Sequence, residues 1–171
     1  LLKEDLFKRI TVKPESFIGH AVSCTGIEYC NLALVETKAR MNNIADYLDQ
    51  NVTLDVPVRI HMVGCPNSCG QRQIADIGLQ GVLMKGPDKK MMEAFEIYVG
   101  GTLQDGGSFN EKLKGRVPAE QLYLVVESLL NDFKEHKLPA ENYREFFLRV
   151  GIEHIQTSLD QAILTTSEQP S

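Results

Sequence analysis

The chain has 171 residues, 43% of them hydrophobic, which is enough for one domain with a sizeable core. Its formal net charge of −5 argues against nucleic acid as the main partner, because phosphate binding requires an excess of Lys and Arg. No apolar run approaches the length of a membrane-spanning helix, and no charged-then-apolar leader opens the sequence. We therefore expect neither nucleic acid nor a membrane among the partners of this protein.

The first two-thirds of the chain is predicted to contain strands and one long helix. The helix covers residues 31–48, because Leu34, Met41 and Leu48 recur on one stripe of helical period. Near residue 100, apolar and polar side chains alternate, which is typical of a half-buried strand. The predicted strands are, in chain order, residues 16–23, 58–63, 74–84 and 95–99.

The C-terminal third is predicted to be helical. Pro118 fits the first position of a helix, and three apolar stripes at helical spacing follow it. We interpret all three stripes as surfaces that pack into the core. They comprise Leu122, Val125, Val126, Leu129, Leu130 and Phe133, then Tyr143, Phe146, Phe147 and Val150, and finally Ile152, Ile155, Leu159, Ala162 and Ile163.

The pattern of elements predicts an α+β or three-layer α/β fold. A mixed sheet is flanked by helices, and the C-terminal third is helical. We expect residues 1–164 to form a single domain. Residues 165–171 are predicted to be a disordered tail, since chain ends without an apolar stripe are rarely held in place.

Four cysteines, the only ones in the chain, stand in two short pairs. Five residues separate Cys24 from Cys30, and three separate Cys65 from Cys69. Each pair follows a predicted strand, where loops can direct several thiolates towards one point while the sheet holds the loops in place. Four thiolates are the ligand set of a [4Fe–4S] cluster or of a zinc site with four cysteines.

Three alternatives to an iron–sulfur cluster follow from the same spacing. Disulfides are disfavoured, because we expect the protein in the cytoplasm or the plastid stroma, where paired cysteines more often bind metal. The gap of five residues between Cys24 and Cys30 argues mildly against zinc, whose ligand pairs usually stand closer. Unrelated buried thiols are the third alternative. Spacing alone leaves all of them open.

The residues around the cysteines carry a resemblance to a known family. The motifs are Cys24-Thr-Gly-x-x-Tyr-Cys30-x-x-Ala-x-x-Glu-Thr-Lys-Ala-Arg40 and Gly64-Cys-Pro-Asn-Ser-Cys-Gly-Gln71. Together they closely resemble the sirohaem and [4Fe–4S] signature of the nitrite and sulfite reductase family. Residues 73–81 and 98–101 also look like that family. The Gln71 context is more similar to ferredoxin-dependent nitrite reductases than to sulfite reductases.

The resemblance implies a ligand set and an activity. Cys24, Cys30, Cys65 and Cys69 would hold one [4Fe–4S] cluster, Cys69 would also bridge to the iron of a sirohaem, and Asn67 would lie near both cofactors. The implied enzyme is an assimilatory nitrite reductase, which reduces nitrite to ammonia with electrons from ferredoxin or a similar small donor. A sulfite reductase, a non-catalytic electron-transfer module and a zinc-binding module are the alternatives.

The resemblance also implies that something is missing. Family members are much longer, and their substrate-binding basic residues lie in a first half to which nothing here corresponds. We therefore expect this chain to be a C-terminal piece that needs the N-terminal half of the same enzyme. It would hold a complete cluster site and part of a haem pocket, and alone it would not reduce nitrite.

Other polar residues give weaker predictions. None of the four histidines shows metal-ligand spacing. Several basic residues have two possible roles. They either lie on solvated surfaces, or they bind the carboxylates of sirohaem or attract an acidic electron-donor protein by electrostatic steering. These basic residues are Lys38 and Arg40, then Lys85, Lys89 and Lys90, and then Lys112, Lys114 and Arg116.

Overall fold

A mixed sheet forms the centre of the protein. The computed structural model describes residues 16–104 and 106–167, and within them the sheet has six strands. The strands are β1 (Ala21–Ser23), β2 (Ile60–Val63), β3 (Ile77–Lys85), β4 (Met91–Val99), β5 (Glu111–Lys112) and β6 (Val117–Pro118).

The first three strands are parallel neighbours. Ala21 of β1 lies opposite Ile60 of β2, which lies opposite Ile77 of β3. The long strand β4 is antiparallel to β3, and both β5 and β6 pair with the other edge of β4. Because β1, β2 and β3 run in one direction, the chain leaves all three at the same edge of the sheet.

Four α-helices account for the apolar stripes of the sequence. They are α1 (Lys38–Asn51), α2 (Leu122–His136), α3 (Tyr143–Val150) and α4 (Ile152–Ser167). All six stripe residues of α2 are buried, as are three of the four in α3. A capping box between Asn142 and Glu145 begins α3, and Gly151 ends it with a φ of 80°.

The helices pack in a chain of contacts around the sheet. Helix α1 contacts β1 and α2, α2 contacts α4, and α4 contacts α3. Together with the buried faces of β2, β3 and β4 they form one hydrophobic core. No helix among the described residues is both long and apolar enough to span a membrane.

The predicted fold class is confirmed, and the differences lie at element boundaries. Residues 31–37 are not helical, because the chain there folds back onto the sheet and Leu34 N–H donates to Gly64 O at 2.8 Å. Residues 17–20 form a short 3₁₀ helix, so the first strand begins only at Ala21. Pro118 ends β6 and caps a 3₁₀ turn, Ala119–Gln121, that leads directly into α2 at Leu122, so the helical segment begins one residue after the predicted position.

The C-terminal boundary also differs from the prediction. Helix α4 runs to Ser167, and Thr165 donates its hydroxyl to Gln161 O at 2.9 Å. The first three residues of the predicted tail are therefore helical. The other four, residues 168–171, lie outside the described residues, as do residues 1–15 of the predicted domain.

Candidate metal centre

Both cysteine pairs lie in loops that leave parallel strands at the same edge of the sheet. Cys24 directly follows β1, in the connection to α1, and Cys65 lies two residues beyond β2, in the connection to β3. The carboxyl edge of parallel strands is where open α/β folds bind their ligands. The topology therefore brings the two loops together, although the two pairs are far apart in sequence.

Contacts around Thr37 hold the first loop. The Thr37 hydroxyl donates to Cys24 O at 2.8 Å, and its oxygen lies 3.8 Å from Cys24 Sγ. Thr37 is fully buried, and Gly26, with a φ of 70°, lies so close that a Cβ there would be 2.6 Å from Thr37 Oγ1. Cys30 N–H donates to Gly26 O at 3.0 Å, which positions the second thiol relative to the first.

The two loops meet at Gly64. Its N–H donates to Cys24 Sγ at 3.1 Å, and its carbonyl oxygen accepts from Leu34 N–H at 2.8 Å. A Cβ on Gly64 would lie 3.0 Å from the Ala33 methyl group, so the close approach depends on glycine. An N–H donated to a thiolate sulfur stabilises the charged form, and such bonds tune the potential of a bound cluster.

The second loop packs onto the start of the first. A Cβ on Gly70 would lie 3.3 Å from Cys24 N and 3.0 Å from Met62 O, so the residue after Cys69 lies against the main chain of Cys24. His61 Nδ1 is 3.0 Å from Gly70 O and 3.1 Å from Gln71 O. Two carbonyl acceptors require Nδ1 to carry the proton, and burial lowers the pKa of His61, which favours the neutral ring.

A second set of side chains holds the same loop from outside. Ser68, which has a φ of 55°, donates its hydroxyl to Gln73 Oε1 at 2.7 Å. The main-chain N–H of Asn110 donates to the main-chain oxygen of Gln73 at 2.8 Å. The Arg72 guanidinium donates to Gln80 Oε1 at 2.8 Å and stacks over a tyrosine ring. Sequence reasoning missed these residues, and only the Gln-rich run after Cys69 pointed to them.

The four thiols are free and differ in exposure. Cys65 is buried, Cys24 and Cys30 are half-buried, and Cys69 is exposed. Asn67 is also exposed, in the turn between the second pair. Among the described residues, no three cysteine sulfurs lie within 4.8 Å of one another. Tetrahedral zinc with Zn–S bonds of about 2.3 Å holds its sulfurs only about 3.8 Å apart. The thiols of the described residues are therefore not at the spacing of the ligands of a single zinc ion.

Several of the basic candidates are engaged elsewhere. Arg40 of α1 pairs with Glu93 of β4 at 2.9 Å and donates to Ala119 O, in the turn before α2. It therefore links these three segments of the fold. Lys112 and Arg116 both pair with the buried Glu96, at 2.7 Å and 3.4 Å, and lower the pKa of that carboxyl against its burial. Glu96 thus balances one of the two positive charges that Lys112 and Arg116 carry.

Comparison with known proteins identifies the family of the chain. A family described as the nitrite and sulphite reductase 4Fe-4S domain matches residues 15–164. The chain belongs to this family. Its four cysteines lie within the matched range, and the domain's description supports an iron–sulfur cluster as the cofactor class.

Individual relatives agree with the family. The chain is 45% identical over 130 residues to a ferredoxin–nitrite reductase of Synechococcus elongatus, covering 76% of this chain and 25% of the relative. It is 40% identical over 149 residues to the assimilatory ferredoxin-dependent nitrite reductase of Haloferax mediterranei, covering 85% and 25%. The solved structure of the Mycobacterium tuberculosis NirA protein superposes with a TM-score of 0.77 at 28% identity, over 84% of this chain and 27% of that one. The chain thus spans about a quarter of the length of the relatives it matches.

Proposed function

We propose that this chain is the cluster- and sirohaem-binding part of an assimilatory nitrite reductase, an enzyme that reduces nitrite to ammonia with electrons from ferredoxin. The observation that carries the proposal is the meeting of both cysteine loops at Gly64, whose N–H donates to Cys24 Sγ at 3.1 Å. Family membership and the names of the relatives support the same activity.

In this proposal Cys24, Cys30, Cys65 and Cys69 are the ligands of one [4Fe–4S] cluster. The thiols differ in environment, because the Cys24 sulfur accepts from Gly64 N–H while Cys65 is buried. When bound, the cluster would accept and pass on single electrons. The chain's own contribution is to hold the four sulfurs, to aim main-chain N–H groups at them and to restrict water on the buried side.

Cys69 is the proposed bridge to sirohaem. It is the exposed member of the four, so one side of its sulfur is accessible to a second group while the loop around it is held by Ser68, Gln73 and His61. The exposed Asn67 in the same turn is proposed to contact the edge of the two cofactors. A sulfur held by Cys69 and shared by the two groups would keep the electronic coupling between cluster and haem strong.

The proposed partners follow from the reaction. They are ferredoxin or another small electron donor, nitrite, and the other part of the same enzyme, in the cytoplasm or the plastid stroma. The family description covers sulphite as well as nitrite, so a sulfite reductase is the second candidate. The two relatives at 45% and 40% identity are nitrite reductases, whereas a ferredoxin-dependent sulfite reductase is 31% identical, which favours nitrite.

The test compares the four Cys→Ser variants in the complete gene product that contains this chain. Ammonium formation from nitrite is measured with reduced ferredoxin, and iron, sulfide and sirohaem contents are measured for each variant. We expect Cys69→Ser to lose more activity per remaining cluster than Cys24→Ser, Cys30→Ser or Cys65→Ser, because it removes the link to the haem as well as a ligand.

Three results would contradict the proposal. Equal activity loss at all four positions, following cluster content alone, would remove the bridging role of Cys69. Sulfide formation from sulfite with a higher kcat/KM than ammonium formation from nitrite would support the sulfite reductase instead. A complete gene product with a cluster but without sirohaem would support an electron-transfer module.

A further inference from the structure

Two histidines and an aspartate converge at the crossing of α2 and α4. Asp132 and His136 stand one turn apart on α2, and His154 lies in the first turn of α4. His136 Nδ1 is 3.1 Å from Asp132 Oδ1 and 3.0 Å from the main-chain oxygen of Asp132, and His154 Nε2 is 3.1 Å from Asp132 Oδ2. One ligand atom from each of the three residues lies within 4.8 Å of the other two, and this is the one such group among the described residues.

The spacing of these atoms matches the ligand shell of one small cation. Zinc binds histidine nitrogen and carboxylate oxygen at about 2.0–2.2 Å, so neighbouring ligands of a tetrahedral site lie about 3.4 Å apart. The two measured separations, both 3.1 Å, are close to that value. A small outward movement of the imidazoles would admit an ion, and the half-exposed His136 side chain leaves a fourth position open to water.

The surroundings fix the imidazoles and carry little unbalanced positive charge. The His154 ring packs edge-on against His136 at 5.4 Å between centroids and against Phe146 at 6.0 Å. The nearby Arg149, which donates to His136 O, is paired with Glu141 at 2.7 Å. Asp132 itself is largely buried, at 14% side-chain exposure, so its carboxylate is held between the two rings.

We propose that Asp132, His136 and His154 form a binding site for a divalent transition-metal ion of the zinc type. Imidazole with carboxylate suits zinc, copper, nickel and iron rather than calcium or magnesium. The site contains none of the residues of the cysteine loops, so it is independent of the proposed cluster. It would join α2 to α4 by coordination. The competing explanation is purely hydrogen-bonded: both imidazoles donate to the Asp132 carboxylate, and His136 Nδ1 also donates to Asp132 O at 3.0 Å, a bond that an ion would have to replace.

The two explanations differ in the protonation of specific nitrogens. Coordination requires unprotonated His136 Nδ1 and His154 Nε2, whereas the hydrogen-bonded arrangement requires both to carry protons. Side-chain ¹⁵N NMR of the labelled full chain during titration with ZnCl₂ reads each imidazole separately, so zinc bound by the four cysteines does not obscure the result. We expect these two nitrogens to take the chemical shifts of metal-bound imidazole, with His20 unaffected.

Charge-matched variants complete the test. Asp132→Asn should weaken zinc binding at the two imidazoles about tenfold or more, as loss of a ligand does. Glu135→Gln, an exposed carboxylate on the same helix, should leave it within about twofold of the original chain. The proposal would be overturned if His136 Nδ1 and His154 Nε2 stay protonated at saturating zinc. Equal zinc affinities of Asp132→Asn and Glu135→Gln would also overturn it.

A second probe needs no substitution. In the original chain, ¹¹³Cd²⁺ should give a resonance typical of nitrogen and oxygen ligands, separate from any thiolate-bound signal. If only the thiolate-type signal is found, the proposal fails even where Asp132→Asn cannot be folded.

Discussion

The packing of Val35 against Gly81 offers a direct way to perturb the loop that carries the first cysteine pair. A Cβ on Gly81 of β3 would lie 2.3 Å from Val35 Cγ2 and 3.0 Å from Gly64 O. Val35 is fully buried, so its side chain has no free space to move into. Gly81→Ala therefore overfills the interior, which should cost about 3 kcal/mol of the unfolding free energy.

A double-mutant cycle isolates this contact. Val35→Ala removes two buried methyl groups and should cost about 2 kcal/mol. In the double variant the new methyl group at residue 81 occupies part of the space that Val35 leaves. We therefore expect a total loss of about 3 kcal/mol instead of about 5, which is a coupling energy of about 2 kcal/mol.

The assay is urea denaturation of the cofactor-free chain, followed by circular dichroism for the original chain, both single variants and the double variant. With an m value of about 2 kcal/mol/M, the coupling corresponds to a midpoint about 1 M higher than additivity predicts. If the two losses instead add to within about 0.5 kcal/mol, Val35 does not pack on Gly81 and the loop is not seated on β3 as described.

Two further predictions concern the hydrogen bonds of the cysteine loops. Thr37→Val removes the buried donor to Cys24 O, so it should lower the free energy of unfolding by about 2 kcal/mol and make Cys24 react faster with a thiol reagent. Thr37→Ser keeps the donor and should keep the original reaction rate. Equal rates in the two variants would contradict this. Burial lowers the pKa of His61 in the folded chain, so as the pH falls the His61 ring of the unfolded chain is protonated before that of the folded chain. Stability should therefore be complete above about pH 6.5 and decrease as the pH falls towards the folded pKa, and an NMR titration of His61 should give a value below about 6.5. A midpoint at or above that value would show that the ring is not desolvated.

The sequence predicted what depends on local pattern. The stripe of α2 is buried at all six positions, because apolar residues at helical spacing lie on one face of the helix and that face packs into the core. The strand ends before Cys24 and before Gly64 were also placed correctly, since β-branched runs and glycine mark them. The helix after the first cysteine pair was placed too early, because Leu34 binds Gly64 across the sheet.

Contacts between distant segments could not be predicted in this way. Thr37 in the first loop and Asn110 beyond β4 act on the cysteine loops through hydrogen bonds that no periodic pattern encodes. Glu96 is one of the polar residues that alternate with apolar ones in the predicted strand 95–99, yet it is buried, and two basic residues from neighbouring segments pair with it. His154 meets Asp132 only because α4 folds back along α2, and spacing in sequence gives no sign of that approach.

The central claim is that the four cysteines hold one [4Fe–4S] cluster, and metal analysis with spectroscopy tests it most directly. The chain is prepared anaerobically with iron and sulfide, and its iron, labile sulfide, zinc and visible spectrum are measured beside a variant with all four cysteines changed to serine. We expect a brown protein with about four iron and about four sulfide per chain, and neither in the variant. A colourless protein with stoichiometric zinc, or iron and sulfide retained by the variant, would contradict it.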